Sequence, residues 1–113
     1  MQEKEISWDD FSKIEMRTGT ILKAEFFDKA KKPAIKLVID FGMRGQLKSS
    51  AQITDIYNPD HLIGKQIIAV VNLPPKQISN FISECLVLGV INDQGQVILL
   101  STDHQVINGL RIS

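Results

Sequence analysis

Lys48-Ser49-Ser50-Ala51-Gln52-Ile53 and, about twenty residues later, Val70-Val71-Asn72-Leu73-Pro74-Pro75-Lys76-Gln77-Ile78 decide how this chain is read. Each has the composition of a strand that ends in a polar or rigid edge. A small β-barrel presents a binding face that way, rather than a catalytic cleft. The first expectation is a binding module.

The stretch around Lys48 places Leu47, Ser49, Ala51 and Ile53 on one face and Lys48, Ser50 and Gln52 on the other, a polar stripe beside Lys36. Before it, Pro33 closes a lysine-rich turn. Residues 34–41 then alternate, with Ile35, Leu37, Ile39 and Phe41 inward and Lys36, Val38 and Asp40 outward. Residues 16–27 mix threonines with aliphatics around Gly19, and a glycine inside a long strand predicts a bulge or a barrel corner. Ser7 and Asp10 have capping-box spacing, and Trp8, Phe11 and Ile14 recur at helical spacing, so a short amphipathic helix follows Ser7. Asn58-Pro59 reads as an N-cap with proline at the first helical position, opening a helix that Gly64 ends. Two aliphatic runs, 66–73 and 85–91, give two more strands, and Asn92-Asp93-Gln94-Gly95 turns the chain into 97–100. This order predicts an all-β protein with short helices: a five-stranded OB-fold Greek-key barrel with an N-terminal helix and a C-terminal extension. A generic small β-barrel is the alternative.

With 113 residues the chain is one domain, 1–113, able to bury about two-thirds of the surface its unfolded form exposes. No apolar run reaches bilayer length and no cationic leader precedes an apolar segment, so neither membrane insertion nor export is expected. A single cysteine, Cys85, excludes an internal disulfide and suits a reducing cytoplasm. The net charge is zero, yet Lys29, Lys31, Lys32, Lys36, Arg44 and Lys48 stand against Asp40 alone in one stretch. Such a patch attracts phosphates or acidic peptides; lysines in a turn also serve simply as solvated residues. Catalysis finds little support. His61 and His104 lack metal-ligand spacing, Cys85 lies in an apolar run, and Asp9-Asp10 reads as helix N-terminal charge. No enzyme, metal or cofactor is expected.

Several phrases resemble the tRNA-binding-domain family: Met16-Arg17-Thr18-Gly19-Thr20-Ile21, Lys36-Leu37, Lys48-Ser49-Ser50-Ala51-Gln52-Ile53, Asn72-Leu73-Pro74-Pro75 and Ser83-Glu84. That family includes stand-alone dimers and domains appended to methionyl- and phenylalanyl-tRNA synthetases and to the EMAP II precursor. The phrases 32–42, Ser50-Ala51-Gln52-Ile53-Thr54 and Val70-Val71-Asn72-Leu73-Pro74-Pro75 look most like its CsaA branch, and the resemblance runs from about Asp10 to Ile112. It implies a small homodimeric chaperone with export-related activity. RNA-binding members follow the Asn-Leu edge with Lys-Pro, then Lys-Met-Arg-Gly, then Ser-x-Gly-Met. Here Pro74, Gln77, Ile78, Ser79 and Asn80 depart from that pattern, Pro75 and Ser83 keep it, and Cys85-Leu86 replaces Gly-Met. Each lost phosphate contact removes about 0.9 unit of salt slope, so weaker tRNA binding is expected.

The favoured reading is a dimeric chaperone for unfolded polypeptides or preproteins with residual or secondary tRNA affinity. Lys36, Lys48 and Lys76 supply positive potential, Ser50, Gln52, Asn72 and Gln77 hydrogen bonds, and Pro74, Ile78 and Phe81 apolar surface, with Ser83 from the family pattern. Against this, Ile78 and Phe81 are equally suited to plug a barrel end, and Ser83 to cap a strand turn. The second reading is a shape-specific tRNA-binding protein acting in trans. Trp8, Phe11, Val106, Ile107, Leu110 and Ile112 are the expected dimer interface; the alternative is that the leading helix plugs its own barrel.

Overall fold

A computed structural model describes residues 3–113. In chain order the elements are α1 (Trp8–Ser12), β1 (Met16–Phe26), β2 (Ile35–Asp40), a 3-10 turn (Gly42–Arg44), β3 (Gln46–Ala51), α2 (Pro59–Leu62), β4 (Gln66–Val70), β5 (Lys76–Ile78), β6 (Phe81–Ser83), β7 (Leu86–Val87), β8 (Gly89–Ile91) and β9 (Val97–Leu99). Five strands form one antiparallel sheet in the order β3-β2-β1-β4-β7, the sequence of neighbours an OB-fold barrel requires.

β1 is long enough to serve two neighbours. Its first half pairs with β4, from Met16↔Val70 to Thr20↔Gln66, and its second half with β2, from Thr20↔Asp40 to Phe26↔Ile35. The register shifts between Ile21 and Lys23, so the bulge sits at Leu22 and not at Gly19. Gly19 answers a different need: a Cβ there would lie 2.7 Å from both Ile39 Cγ2 and Phe41 Cε1. The alternation expected for 34–41 is present, and Ile35, Leu37, Ile39 and Phe41 are fully buried with Ile21 and Ile67.

The ring closes where β3 meets residues 83–85, and side chains do much of the closing. The Glu84 amide donates to the Lys48 carbonyl at 2.7 Å, while the Lys48 amide donates to Glu84 Oε1 at 3.0 Å. The Ser50 amide donates to Ser83 Oγ at 3.1 Å, and Ser49 Oγ donates to the Cys85 carbonyl at 2.9 Å. Lys48-Ser49-Ser50 is therefore the seam of the barrel. The side chains of Ser49, Ser83 and Glu84 let the two strands join without a full ladder.

Both short helices start as their caps dictate. Ser7 Oγ accepts from the Asp10 amide at 3.0 Å, and Asn58 Oδ1 accepts from the Asp60 amide at 3.0 Å, with Pro59 in the first turn. Their fates differ. α2 drives Leu62 wholly into the barrel, whereas α1 buries no residue, which overturns the alternative that the leading helix plugs its own barrel. Two further expectations need correction. The run 66–73 is a strand only over Gln66–Val70. The run 85–91 is not one strand: it breaks at Leu88, so β7 stays with β4 while β8 pairs with β9 in a separate hairpin. Residues 76–83 form another hairpin, β5–β6, turning through Ser79-Asn80.

The C-terminal residues lie along β1. The Gly109 amide donates to the Thr18 carbonyl at 2.7 Å, the Thr18 amide to Leu110 at 2.9 Å and the Ile112 amide to Met16 at 2.9 Å. Gln66 holds the strap from below, its Nε2 donating to the Val106 carbonyl at 2.6 Å and its Oε1 accepting from the Val106 amide at 3.0 Å. At the junction of α1 and β1, Glu15 meets Arg17 (2.7 Å), Arg111 (3.0 Å) and Arg44 (3.1 Å), joining both ends of the described chain to the 3-10 turn. Hydrogen bonding to Arg17 outweighs desolvation and, with the neighbouring charges, holds the Glu15 carboxyl below its ordinary value. No helix among the described residues is long and apolar enough to cross a membrane.

Candidate functional site

The connection from β1 to β2 and the β5–β6 hairpin rise on either side of β3 and enclose an open groove of about 570 Å³. One wall carries Lys29, Lys31 and Lys32; the other carries Lys76, Gln77 and Ile78; Ser50 and Gln52 form the floor. No carboxylate lines it, and none of its four lysines has an ion-pair partner among the described residues. The groove thus concentrates positive potential that the zero net charge of the chain conceals. It also lies where OB-folds take extended ligands, across the face of the second and third strands and between the two flanking loops.

Of the sequence-predicted site residues, Ser50, Gln52, Lys76, Gln77 and Ile78 come together in this groove. Lys36, Lys48 and Phe81 form a neighbouring patch. The Phe81 ring meets Phe27 edge-on at 5.5 Å, with the ammonium groups of Lys48 at 5.3 Å and Lys36 at 5.8 Å from its centre. Lys36 also pairs with Glu25 at 3.0 Å, which lowers its availability to a ligand. Phe81 is half-buried and fastens the hairpin to the barrel. Pro74 is exposed in the loop before β5 and does not line the groove.

Asn72 and Ser83 are occupied elsewhere. Asn72 Oδ1 accepts from the Glu15 amide at 2.9 Å and its Nδ2 donates to the Lys13 carbonyl at 2.7 Å, so this amide clamps the exit of α1. Ser83 belongs to the barrel seam. In the sequence, Lys29, Lys31 and Lys32 read as a basic stretch and not as site residues. The signal that would have placed them is topological, since the loop between the first two OB strands faces the loop before the last.

The residues expected at a dimer interface lie on α1 and on the C-terminal strap along β1, and they differ in exposure. Trp8 is 88% and Ile107 73% exposed, Leu110 is exposed, and Phe11, Val106 and Ile112 are half-buried. Ile6, at 69% exposure, joins Trp8 and Phe11 in a shallow apolar hollow and was not anticipated. Cys85 is buried, and desolvation pushes its thiol up to about 12, far from a nucleophile's range.

The fold and the groove define a small OB-fold binding barrel. The family described as "tRNA binding domain" matches residues 16–111, and the chain belongs to it. Among solved structures, the chain resembles the chaperone CsaA of Bacillus anthracis, with 49% identity, a TM-score of 0.92 and coverage of 97% of this chain and 100% of the other. It resembles the CsaA chaperone protein of Picrophilus torridus with 54% identity, a TM-score of 0.90 and coverage of 96% and 100%. The methionine–tRNA ligase of Archaeoglobus fulgidus is 37% identical over 98% of this chain, which spans only 16% of that ligase.

Proposed function

We propose that this chain is a homodimeric CsaA-like chaperone of the cytoplasm, holding unfolded or export-bound polypeptide segments in the groove between the lysine turn and the β5–β6 hairpin. The observation that carries this reading is the groove itself: four lysines without carboxylate partners among the described residues, above a floor of Ser50 and Gln52, open enough for an extended chain. Extended polypeptide needs donors and acceptors for its backbone, which Ser50, Gln52 and Gln77 offer, and cover for side chains, which Ile78 and the lysine stems offer. Identity near one half over the whole length of two CsaA chaperones supports the same role. Binding here is non-covalent, and no bond of the client changes.

tRNA is the second ligand on this reading, favoured by the family match across 16–111 and by the cationic walls. Phosphate contacts release counterions and fade steeply with salt, whereas contacts to apolar and backbone groups do not. Titrating labelled, denatured polypeptide and bulk tRNA across a salt series separates the two. The chaperone reading requires polypeptide binding that outlasts tRNA binding as salt rises; tRNA binding with no polypeptide binding at any salt would reverse the order of the two functions.

Dimerisation is part of the proposal because Trp8 and Ile107 leave large apolar side chains in water near the ends of the described chain. Burying each against a second copy contributes about 1.5–3 kcal/mol for a large side chain. A closed two-fold arrangement would cover both sets at once.

A further inference from the structure

Resting on the polypeptide-binding reading above, we propose that the groove takes an extended acidic segment by strand addition, pairing it with the open edge of β5 at Gln77. β5 has a partner on one side only: β6 pairs with it through Lys76↔Ser83, Gln77↔Ile82 and Ile78↔Phe81. In a hairpin that turns through two residues, the pair flanking the turn exchanges hydrogen bonds and the next pair does not. Ile78↔Phe81 is that flanking pair, so the N–H and C=O of Gln77 point away from β6. No other backbone group among the described residues bonds to them. Residues of β5 line the groove while none of β6 does, so the unpaired edge is the one the groove receives.

Charge sets the second half of the proposal. A strand laid beside β5 has Lys76 on one side and Lys29, Lys31 and Lys32 across the groove, with no carboxylate in the lining to compete. Acidic side chains on the incoming segment meet these ammonium groups, and basic ones are repelled. Pro74 and Pro75, immediately before β5, have no N–H to offer, which restricts the added strand to a single short register centred on Gln77.

The test uses the full chain and labelled peptides of one length and apolar content: one with glutamates at alternate positions, its glutamine counterpart, its lysine counterpart, and glutamate peptides carrying a single backbone N-methyl group walked along the chain. At low salt the glutamate peptide is expected to bind about tenfold more tightly than the glutamine peptide, the sum of several exposed charge contacts. That gap should shrink in the Lys32→Gln and Lys76→Gln variants, whose side chains are exposed and outside the core. N-methylation should weaken binding at the position that pairs with Gln77 and not at its neighbours. Equal binding of glutamate and glutamine peptides overturns the acidic preference while leaving polypeptide capture intact. Indifference to N-methylation at every position overturns strand addition. If none of the peptides binds while tRNA does, the polypeptide reading fails and this proposal with it.

Discussion

Asn72 looks from the sequence like a ligand-binding amide at the edge of a groove, and the structure commits both of its polar ends to the backbone of residues 13 and 15. Asn72→Ala is therefore expected to lower stability by about 1–2 kcal/mol, the worth of two modest hydrogen bonds, without weakening polypeptide binding. Denaturant titration beside a binding isotherm checks both halves. Gly19 is a second residue whose role is packing: Gly19→Ala would drive a methyl group into Ile39 and Phe41, an overpacking expected to cost about 1–3 kcal/mol on denaturant titration. Glu15 is a residue that acts through its charge. Its carboxyl is held below the ordinary value of 4.5 in the folded chain, so its contribution is fully present above that value and is lost as pH falls through the lowered folded one. Melting curves of the wild type and Glu15→Gln should accordingly differ at neutral pH and converge in acid. A difference that stays constant down to low pH would mean that the three arginines do not act through the Glu15 charge.

At the scale of elements, the alternating strands were legible because each buries one face: Ile35, Leu37 and Ile39 could be read off period two and are fully buried. The caps of both helices were equally plain, since Ser7 and Asn58 act on amides only a few residues away. The β5–β6 hairpin was not legible. Its turn is Ser79-Asn80, in which Ser79 adopts φ 54°, a left-handed conformation that glycine or asparagine usually signals. Nor did the sequence announce that 85–91 breaks at Leu88, because a run of aliphatics carries no mark of which partner each half will find. The seam had a similar weakness, as a serine that accepts from a strand amide looks in sequence like a serine that binds a ligand. The hairpin leads to an expectation of its own. Ser79→Val puts a β-branched residue at positive φ, where it is tolerated less well than serine, and should loosen the hairpin. Amide exchange should accelerate at β5 and β6, and groove binding should weaken, with the five-stranded barrel little changed. Exchange rates in the hairpin unaltered by this substitution would show that the turn does not hold it closed.

Over the whole molecule, two surfaces matter to the proposed function: the cationic groove and the apolar ends. The groove was half visible in sequence, since Ser50, Gln52, Lys76, Gln77 and Ile78 were named from their strand, while the facing lysines needed the barrel to bring them near. At the apolar ends Trp8, Ile107 and Leu110 could be read from the sequence as exposed apolar residues, whereas Ile6 and Ile14 were not named with them. Sedimentation should show a dimer that Trp8→Asp dissociates, because a carboxylate cannot be buried unpaired across a two-fold axis. Persistence of the dimer in that variant would place the interface elsewhere. The chaperone reading places polypeptide in the lysine-walled groove. Its most direct test is the affinity of labelled, denatured polypeptide for the wild type and for a Lys31→Glu, Lys32→Glu, Lys76→Glu triple variant, with folding of both confirmed by melting. Binding lost or greatly weakened in the folded variant is the expected result; equal affinity in the two proteins would contradict it.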